Sequence, residues 1–521
     1  MAVANFFDKA ALAASQILTG VDYEAVAAAL DSGVVGVAFD DAAARSPEGR
    51  TTLELAVNLL ARLYSRVAIV GTGDAAAALI PELAAAARAI NPAIDISADL
   101  RGTAACIGVG ASPVPTDAPT IYLGSDGWIA RVSSDGPVGS GSSSNPFGAG
   151  AAACFGAANV FRAFFRAQLP HGAPDRAFQL SLIDLDPTAA HPSNPDLGEV
   201  DLGESHLVGL GAIGNGAVWA LARSPGLRGQ LHLVDPELVD LSNLQRYVVA
   251  TQADRDRPKV ALAAERFRDA GIVVHPHQQR WGEYLRARKS WRLERVAVAV
   301  DSARDRAAIQ AALPRWVVNA WTQPGDLGVS RHAFVGDQAC LVCLYLPEGE
   351  RKHEDQLVAE AIGLPDAVRD VRELLATDRP VGRDWIERIA AALGVPSEPL
   401  LPFEGRPLRA FYTEAVCGGT ILALGGGRAA GGGAEVPMAF QSALAGLVLA
   451  SELVAHASNL KQVPPPVTTK IDLLHPLGMY LSLPATKDRH GRCICQDPDY
   501  IAAYRAKYGN SEDAGSLTAP P

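Results

Sequence analysis

The chain has 521 residues, a formal net charge of −11 and a pI near 5.5. That length calls for more than one domain, and a hydrophobic share of 48% is enough to fill sizeable cores. The acidic balance excludes the basic footprint of a nucleic-acid-binding protein. No apolar run reads as membrane-spanning, and the start, MAVANFFDKAALAAS, lacks the basic region and apolar core of a signal peptide, so a cytoplasmic protein is expected. Seven cysteines are present, four of them in two close pairs. In a reducing compartment such pairs read as metal ligands sooner than as disulfides.

Residues 1–190 form a first region. Arg66 to Val70 reads as a strand, followed by Gly71-Thr-Gly73 and an alanine-rich helix. This imitates a nucleotide-binding strand, turn and helix, but no further motif accompanies it. Thr120 to Val132 reads as a hairpin turning at Ser125-Asp126-Gly127. Gly136 to Ser144 is a glycine/serine loop, and Ala151 to Gln168 a long helix. Cys106 and Cys154 lie in apolar, alanine-rich runs and read as core packing. His171 to Glu204 reads as a linker around one strand, Gln179 to Ile183.

The second region, 200–345, is richer. A short apolar strand, His206 to Leu210, leads into Gly209, Gly211 and Gly214 and then a helix, Asn215 to Arg223. Glycines at that spacing let the backbone approach a phosphate, and a helix N-terminus offers free N–H groups to an anion. A strand over Gln230 to Val234 ends at Asp235, about twenty residues past Gly214, where a ribose partner is expected. Taken alone, this also fits a nicotinamide oxidoreductase. The residues from Asp235 onward narrow it: Asp235, Glu237, Ser242, Asn243, Leu244, Arg246, Pro258 and Lys259 come in that order. A third strand, Arg295 to Val300, ends in Asp301-Ser302, with Arg306 beyond. Trp316 to Trp321 is a further strand, closed by a turn at Pro324-Gly325.

That series resembles the adenylation core of the ThiF/MoeB and ubiquitin-activating-enzyme family. Two positions depart from its pattern: Tyr247 stands where glutamine is usual, and Ser302 where asparagine follows the magnesium-binding aspartate. The resemblance implies that the glycine loop and Asp235, Glu237 and Asn243 bind ATP. It implies that Arg246 and Lys259 contact phosphate and that Asp301 helps hold Mg2+.

Cys340-Leu-Val-Cys343 and Cys493-Ile-Cys495 would place four thiolates around tetrahedral zinc, with His490 as a fallback ligand. Residues 346–435 are an insertion with amphipathic runs at Glu354 to Ile362, Ala367 to Leu375 and Trp385 to Leu393, broken by prolines. It ends in Cys417 and the glycine-rich stretch Gly418 to Gly433, before an apolar helix, Phe440 to His456. In the family the catalytic cysteine lies on such a crossover. Cys417 is therefore a candidate nucleophile, the alternative being a small hydrophobe beside a turn. The segment 436–508 adds strands at Val467 to Leu473 and Met479 to Leu483, and 509–521 reads as a disordered tail.

The expected fold is α/β: a Rossmann-like adenylation domain preceded by a degenerate, inactive adenylation-like half and carrying a cysteine-bearing insertion. The resemblance implies ATP-dependent adenylation of a ubiquitin-like protein's C-terminal glycine, then a thioester on Cys417. No conjugating-enzyme domain is apparent, so a separate conjugating-like enzyme is the expected partner, with no nucleic acid and no membrane. The expected state is a monomer with an internal pseudo-dimer, or a homodimer. The setting it resembles is a bacterial ubiquitin-like conjugation or anti-phage operon. Three other readings stay open: a sulfur-carrier adenylyltransferase without the thioester, an NAD-dependent oxidoreductase, and a non-catalytic scaffold.

Overall fold

The computed structural model describes residues 6–323, 325–346, 353–412, 415, 436–461, 465–475, 477 and 482–509. The chain divides into two compact units. One holds Asp31–Leu346 and Met438 onward; the other holds Phe7–Leu30 and Pro347–Pro437.

The chain opens with α1 (Phe7–Ser15) and α2 (Tyr23–Ser32), which fall mostly in the smaller unit. The larger unit then begins with β1 (Val34–Asp40), α3 (Asp41–Arg45), α4 (Pro47–Ala61), β2 (Arg66–Thr72), α5 (Asp74–Ile90) and β3 (Asp95–Ser97). It continues through β4 (Ala105–Val109), β5 (Thr120–Asp126), β6 (Ile129–Ser133), α6 (Pro146–Phe164) and β7 (Ala177–Ser181). These strands form one sheet in the order β3-β2-β1-β4-β5-β6-β7. The first five run parallel; β6 and β7 are antiparallel. The central strands β1 and β4 read VVGVAFD and ACIGV and are buried almost throughout, as parallel strands covered on both faces require. Helix α6 starts five residues before the expected Ala151. Asn145 caps it and Pro146 fits its first turn, so residues 146–150 belong to the helix.

The second sheet takes β8 (Val200–Val208), α7 (Ala212–Ala222), β9 (Leu227–Val234), α8 (Lys259–Glu265), β10 (Ile272–His277) and α9 (Trp281–Ala287). Next come β11 (Arg295–Val298), α10 (Ala303–Ala311), β12 (Trp316–Thr322) and β13 (Asp326–Ala333). Strand β8 starts at Val200, inside the expected linker. Its charged positions Asp201 and Glu204 flank a bulge and hide the apolar alternation. The chain then enters the smaller unit through α11 (Glu354–Ala361), α12 (Val368–Thr377), α13 (Arg383–Leu393) and α14 (Leu408–Phe411). As the amphipathic pattern predicts, Val371, Leu374, Ile386, Ile389 and Phe411 form its core. Back in the larger unit are α15 (Ala439–Ser458), β14 (Thr468–Asp472), β15 (Ser482–Leu483) and α16 (Pro498–Tyr508). Cys417, Gly418 to Gly433 and the tail from 510 lie outside the described residues.

The second sheet runs β10-β9-β8-β11-β12-β13-β14-β15. Apart from the short edge strand β15, it repeats the first sheet strand for strand. The same five positions are parallel, and the next two antiparallel. Helices α4 and α6 of the first sheet correspond to α7 and α15 of the second. Helix α15 is long and apolar enough to cross a membrane, contrary to the expectation that no apolar run reaches that length. Here it is almost wholly buried, packed on α6, α7 and strands of the second sheet. It meets α7 at glycines: a Cβ on Gly216 would lie 2.6 Å from the Ala443 carbonyl oxygen, and one on Gly446 2.2 Å from that of Ile213.

A nucleotide-type turn and a four-cysteine cluster

The turn between β8 and α7 is built on two glycines that admit nothing larger. Gly209 has φ +91°, and a Cβ there would lie 2.5 Å from the Ala299 carbonyl oxygen. A Cβ on Gly214 would lie 2.2 Å from the Gly209 carbonyl oxygen, so this glycine lets the helix sit on the strand end. Gly211 differs. It begins α7 without a side-chain cap, and a Cβ there would meet only the Tyr247 hydroxyl, at 3.7 Å. The free N–H groups of the first helical turn are thus left for an anion. Asp235, at the end of β9, locks the turn. Its Oδ2 accepts from the Leu210 N–H at 2.6 Å and its Oδ1 from the Glu237 N–H at 2.8 Å. Burial pushes its carboxyl pKa up, against the pull of Lys259.

The cations stand beside this turn. Lys259 opens α8, and its Nζ bonds Glu237 Oε2 at 2.5 Å and the Tyr247 hydroxyl at 2.9 Å. Burial works against its charge, but Tyr247, Asp235 and Glu237 outweigh burial and raise its pKa. Tyr247, the departure from the family's glutamine, therefore acts as a second anchor for this lysine. Arg246 lies in the same segment. Its Nη1 is buried and has no hydrogen-bond partner among the described residues. Burial lowers its pKa, and the nearby Tyr247 and Asp301 counter that. Asp301, just past β11, keeps its side chain exposed, while its carbonyl accepts from Arg306 Nη1 at 3.2 Å. Ser302 caps α10, its Oγ accepting from the Asp305 N–H at 3.0 Å. Asn243 has a local role: its side-chain oxygen accepts from the Asp240 N–H at 3.1 Å and shapes the short turn before Arg246. The structure thus gathers Gly209, Gly211, Gly214, Asp235, Glu237, Arg246, Lys259 and Asp301 at the carboxyl ends of β8, β9 and β11. That is where open α/β sheets bind ligands.

The corresponding turn of the first sheet is closed. After β1, Asp40 accepts from the N–H groups of Ala43, Ala111 and Ser112 at 2.8–3.0 Å. Asp41 Oδ1 accepts from the Ala76 N–H at 3.0 Å, in the first turn of α5. A Cβ on Gly73 would lie 2.3 Å from that oxygen. Two carboxylates thus occupy four N–H donors at the ends of β1, β2 and β4.

The four paired cysteines converge as expected. Cys340 Sγ lies 3.9 Å from Cys343 Sγ and 3.4 Å from Cys493 Sγ, and Cys343 Sγ lies 3.6 Å from Cys495 Sγ. A tetrahedron with 2.3 Å metal–sulfur arms has edges of about 3.8 Å, so the donors fit Zn2+. The one-residue gap in Cys493-Ile-Cys495 works because a 3-10 turn over Ile494–Gln496 aims both sulfurs inward. His490 is exposed and is not among the gathered donors. Tyr504 and Phe334 pack around the cluster.

A second group, Glu204, His206 and His232, also brings possible metal donors together. The sequence gives no sign of it, because the three meet only when β8 and β9 pair. Arg288 Nη1 donates to Glu204 Oε1 at 2.8 Å and lies 3.0 Å from His206 Nε2, so a guanidinium already occupies the position of a cation. Burial holds His206 well below its ordinary pKa and His232 at about 4, which keeps both rings neutral.

A family model described as ThiF family matches residues 198–495, and one described as Prokaryotic E2 family C matches residues 38–166. The chain is 51% identical over 511 residues to a Sinorhizobium fredii protein named Uncharacterized protein y4jF, covering 98% of each chain. E. coli MccB in its crystal structure with MccA-N7isoASN is similar at 18% identity, over 34% of this chain and 55% of that one, with a TM-score of 0.26. The MccB structure with ATP is similar at 20% identity, over 27% and 44%, with a TM-score of 0.24. The chain spans about half the length of that protein. The match at 38–166 lies on the first sheet and corrects the expectation that no conjugating-enzyme region is apparent in the chain. Its two cysteines, Cys106 and Cys154, are fully buried. Burial pushes the Cys106 thiol up to about 12 and the Cys154 thiol higher still, so neither presents a thiolate.

Proposed function

The chain belongs to the ThiF family, and on that premise we propose that it adenylates the C-terminal carboxylate of a small ubiquitin-like protein and passes the acyl group to Cys417. The observation that carries this reading is the buried Nη1 of Arg246 beside the glycine turn, which has no hydrogen-bond partner among the described residues. A cation in that position costs free energy until an anion reaches it. A triphosphate is the anion that the adjacent helix N-terminus, Lys259 and Asp301 also suit.

The carboxylate oxygen attacks the α-phosphorus of ATP. The bond to the bridging oxygen breaks, pyrophosphate leaves, and an acyl-adenylate forms. Arg246 and the remaining donor of Lys259 meet the phosphate oxygens and offset the charge that develops between them. Asp301 is the carboxylate that would hold Mg2+, whose charge neutralises the leaving pyrophosphate when bound. Asp235 already gives both oxygens to backbone N–H groups, so a ribose contact uses its remaining lone pairs. The Cys417 thiolate then attacks the acyl carbon, AMP leaves, and a thioester remains for transfer to a separate conjugating-like enzyme. A separate enzyme is needed because the first half offers no accessible thiol. Zinc on Cys340, Cys343, Cys493 and Cys495 is structural in this scheme: it ties the C-terminal segment to the nucleotide domain. A bacterial conjugation or anti-phage operon is the setting we assign.

Calorimetry on the intact chain tests the reading. ATP with Mg2+ is expected to bind, Arg246→Ala to abolish binding, and Asp301→Ala to weaken it in the presence of Mg2+. NAD binding without ATP binding would replace this reading with an oxidoreductase.

A further inference from the structure

The segment that carries Arg246 and Tyr247 has little regular structure of its own. A 3-10 turn ends at Asn243, another begins at Gln252, and turns lie between. Residues 244, 245 and 247–250 are buried, so their carbonyl groups need donors. Several of those donors come from the first half of the chain, about 180–190 residues away. Arg62, which ends α4, donates from Nη1 to the Leu244 carbonyl and from Nη2 to the Ala250 carbonyl, the latter at 2.9 Å. Asn58, one turn earlier, donates from Nδ2 to the Val248 carbonyl at 3.0 Å and accepts from Arg62 Nε at 2.9 Å, which fixes the guanidinium's plane. Arg62 is 1% exposed, and no carboxylate pairs with it among the described residues. Gln252 closes the far end by donating to the Ile90 carbonyl at 3.0 Å. A buried guanidinium held by carbonyls alone also leaves its positive charge uncancelled next to the phosphate-binding segment.

We infer that Arg62 and Asn58 are positioning residues for the nucleotide site: the first half, which lacks a site of its own, sets the backbone that aims Arg246. The guanidinium fork suits this task, because it reaches two carbonyls six residues apart from one rigid plane. The corresponding helix end in the second half is Arg223, which reaches back to Glu54 on α4 at 3.9 Å and leaves the 244–250 backbone alone. Glu54 therefore supplies a matched control at the same junction.

This inference rests on the ATP reading, and the experiment separates the two. ATP–Mg2+ affinity is measured by calorimetry, and amide hydrogen exchange over 243–252 is followed by mass spectrometry. The intact chain is compared as wild type, Arg62→Gln, Arg62→Lys, Asn58→Ala and Glu54→Gln. The expected result is ATP binding weakened about tenfold to a hundredfold in Arg62→Gln and less in Asn58→Ala. Exchange should quicken over 243–252 while the amides of β8 and β11 stay protected. Arg62→Lys should recover part of the loss and Glu54→Gln should match wild type. If Arg62→Gln does not fold, Asn58→Ala carries the same comparison. Wild-type affinity and unchanged exchange in Asn58→Ala and Arg62→Lys would overturn the inference while leaving the ATP reading intact, and so would an equal loss in Glu54→Gln. A wild-type chain that binds no ATP would overturn both.

Discussion

The two sheets of the larger unit share one strand order and one pattern of directions, yet the turn after the first strand is opposite in character. In the second half it is a glycine turn flanked by Arg246 and Lys259, with one guanidinium nitrogen that has no partner among the described residues. In the first half it is Asp40-Asp41, whose carboxylates take the local N–H groups. A triphosphate arriving there would meet two like charges, with the N–H groups of Ala43, Ala76, Ala111 and Ser112 already taken. The difference teaches that the scaffold does not decide the chemistry; a few residues at the strand ends do. The closed half keeps a use, because Arg62 and Asn58 reach out of it into the open one.

The comparison breaks most sharply at Gly214. Gly214→Val places a side chain against the Gly209 carbonyl and gives the second half a closed turn too. ATP binding in calorimetry is expected to fall more than a hundredfold, with about 1–3 kcal/mol lost from stability in urea titration.

Next in size is an ion cluster on α15. Both core helices bury an ion pair: Arg162–Asp175 at 3.0 Å in the first half, and Glu452 with Arg331 and Lys461 in the second. Burial alone would raise the Glu452 carboxyl, but Arg331 and Lys461 prevail and hold its pKa at about 2. Its folded pKa lies below its unfolded value, so its stabilisation is complete above pH 4.5 and is lost as pH falls toward 2. That slope amounts to roughly 3 kcal/mol. Acid unfolding followed by circular dichroism is expected to show it in wild type and not in Glu452→Gln, which is itself destabilised by about 3 kcal/mol or more at neutral pH.

Cys493→Ser removes a feature with no counterpart in the first sheet. Bound zinc, counted by native mass spectrometry, is expected to drop from one per chain to none. Helix α16 should then become sensitive to protease while ATP affinity stays within about twofold, since the cysteine cluster shares no residue with the nucleotide turn. The smallest effect belongs to the closed half: Asp41→Asn should leave ATP affinity unchanged and shift stability by less than about 0.5 kcal/mol.

The open half is legible in the sequence because its signals are local. Gly209 to Gly214, Asp235 and Lys259 lie within one short stretch, and the cysteine pairs announce themselves by spacing. Tyr247 stands out as a departure, but its bond to Lys259 needs the turn to be folded. Arg62 gives no signal at all. In sequence it is one arginine ending a helix, and its partners lie in another sheet. A degenerate first half is expected from the resemblance, but its strand order is not legible, because order is fixed by pairing across the chain. Val200 to Glu204 reads as linker, and α6 is expected to start at Ala151 and not at Pro146, because charged and Pro/Gly residues interrupt the apolar pattern at an edge and at a cap.

The central claim, that one half binds the nucleotide and the other only supports it, is tested most directly by photo-crosslinking with an azido-ATP and mapping the labelled peptides. Label confined to peptides within 209–260 and around Asp301, at one per chain and competed by ATP, is the predicted result. Label on peptides around Asp40, Asp41 or Ala111 would contradict the account.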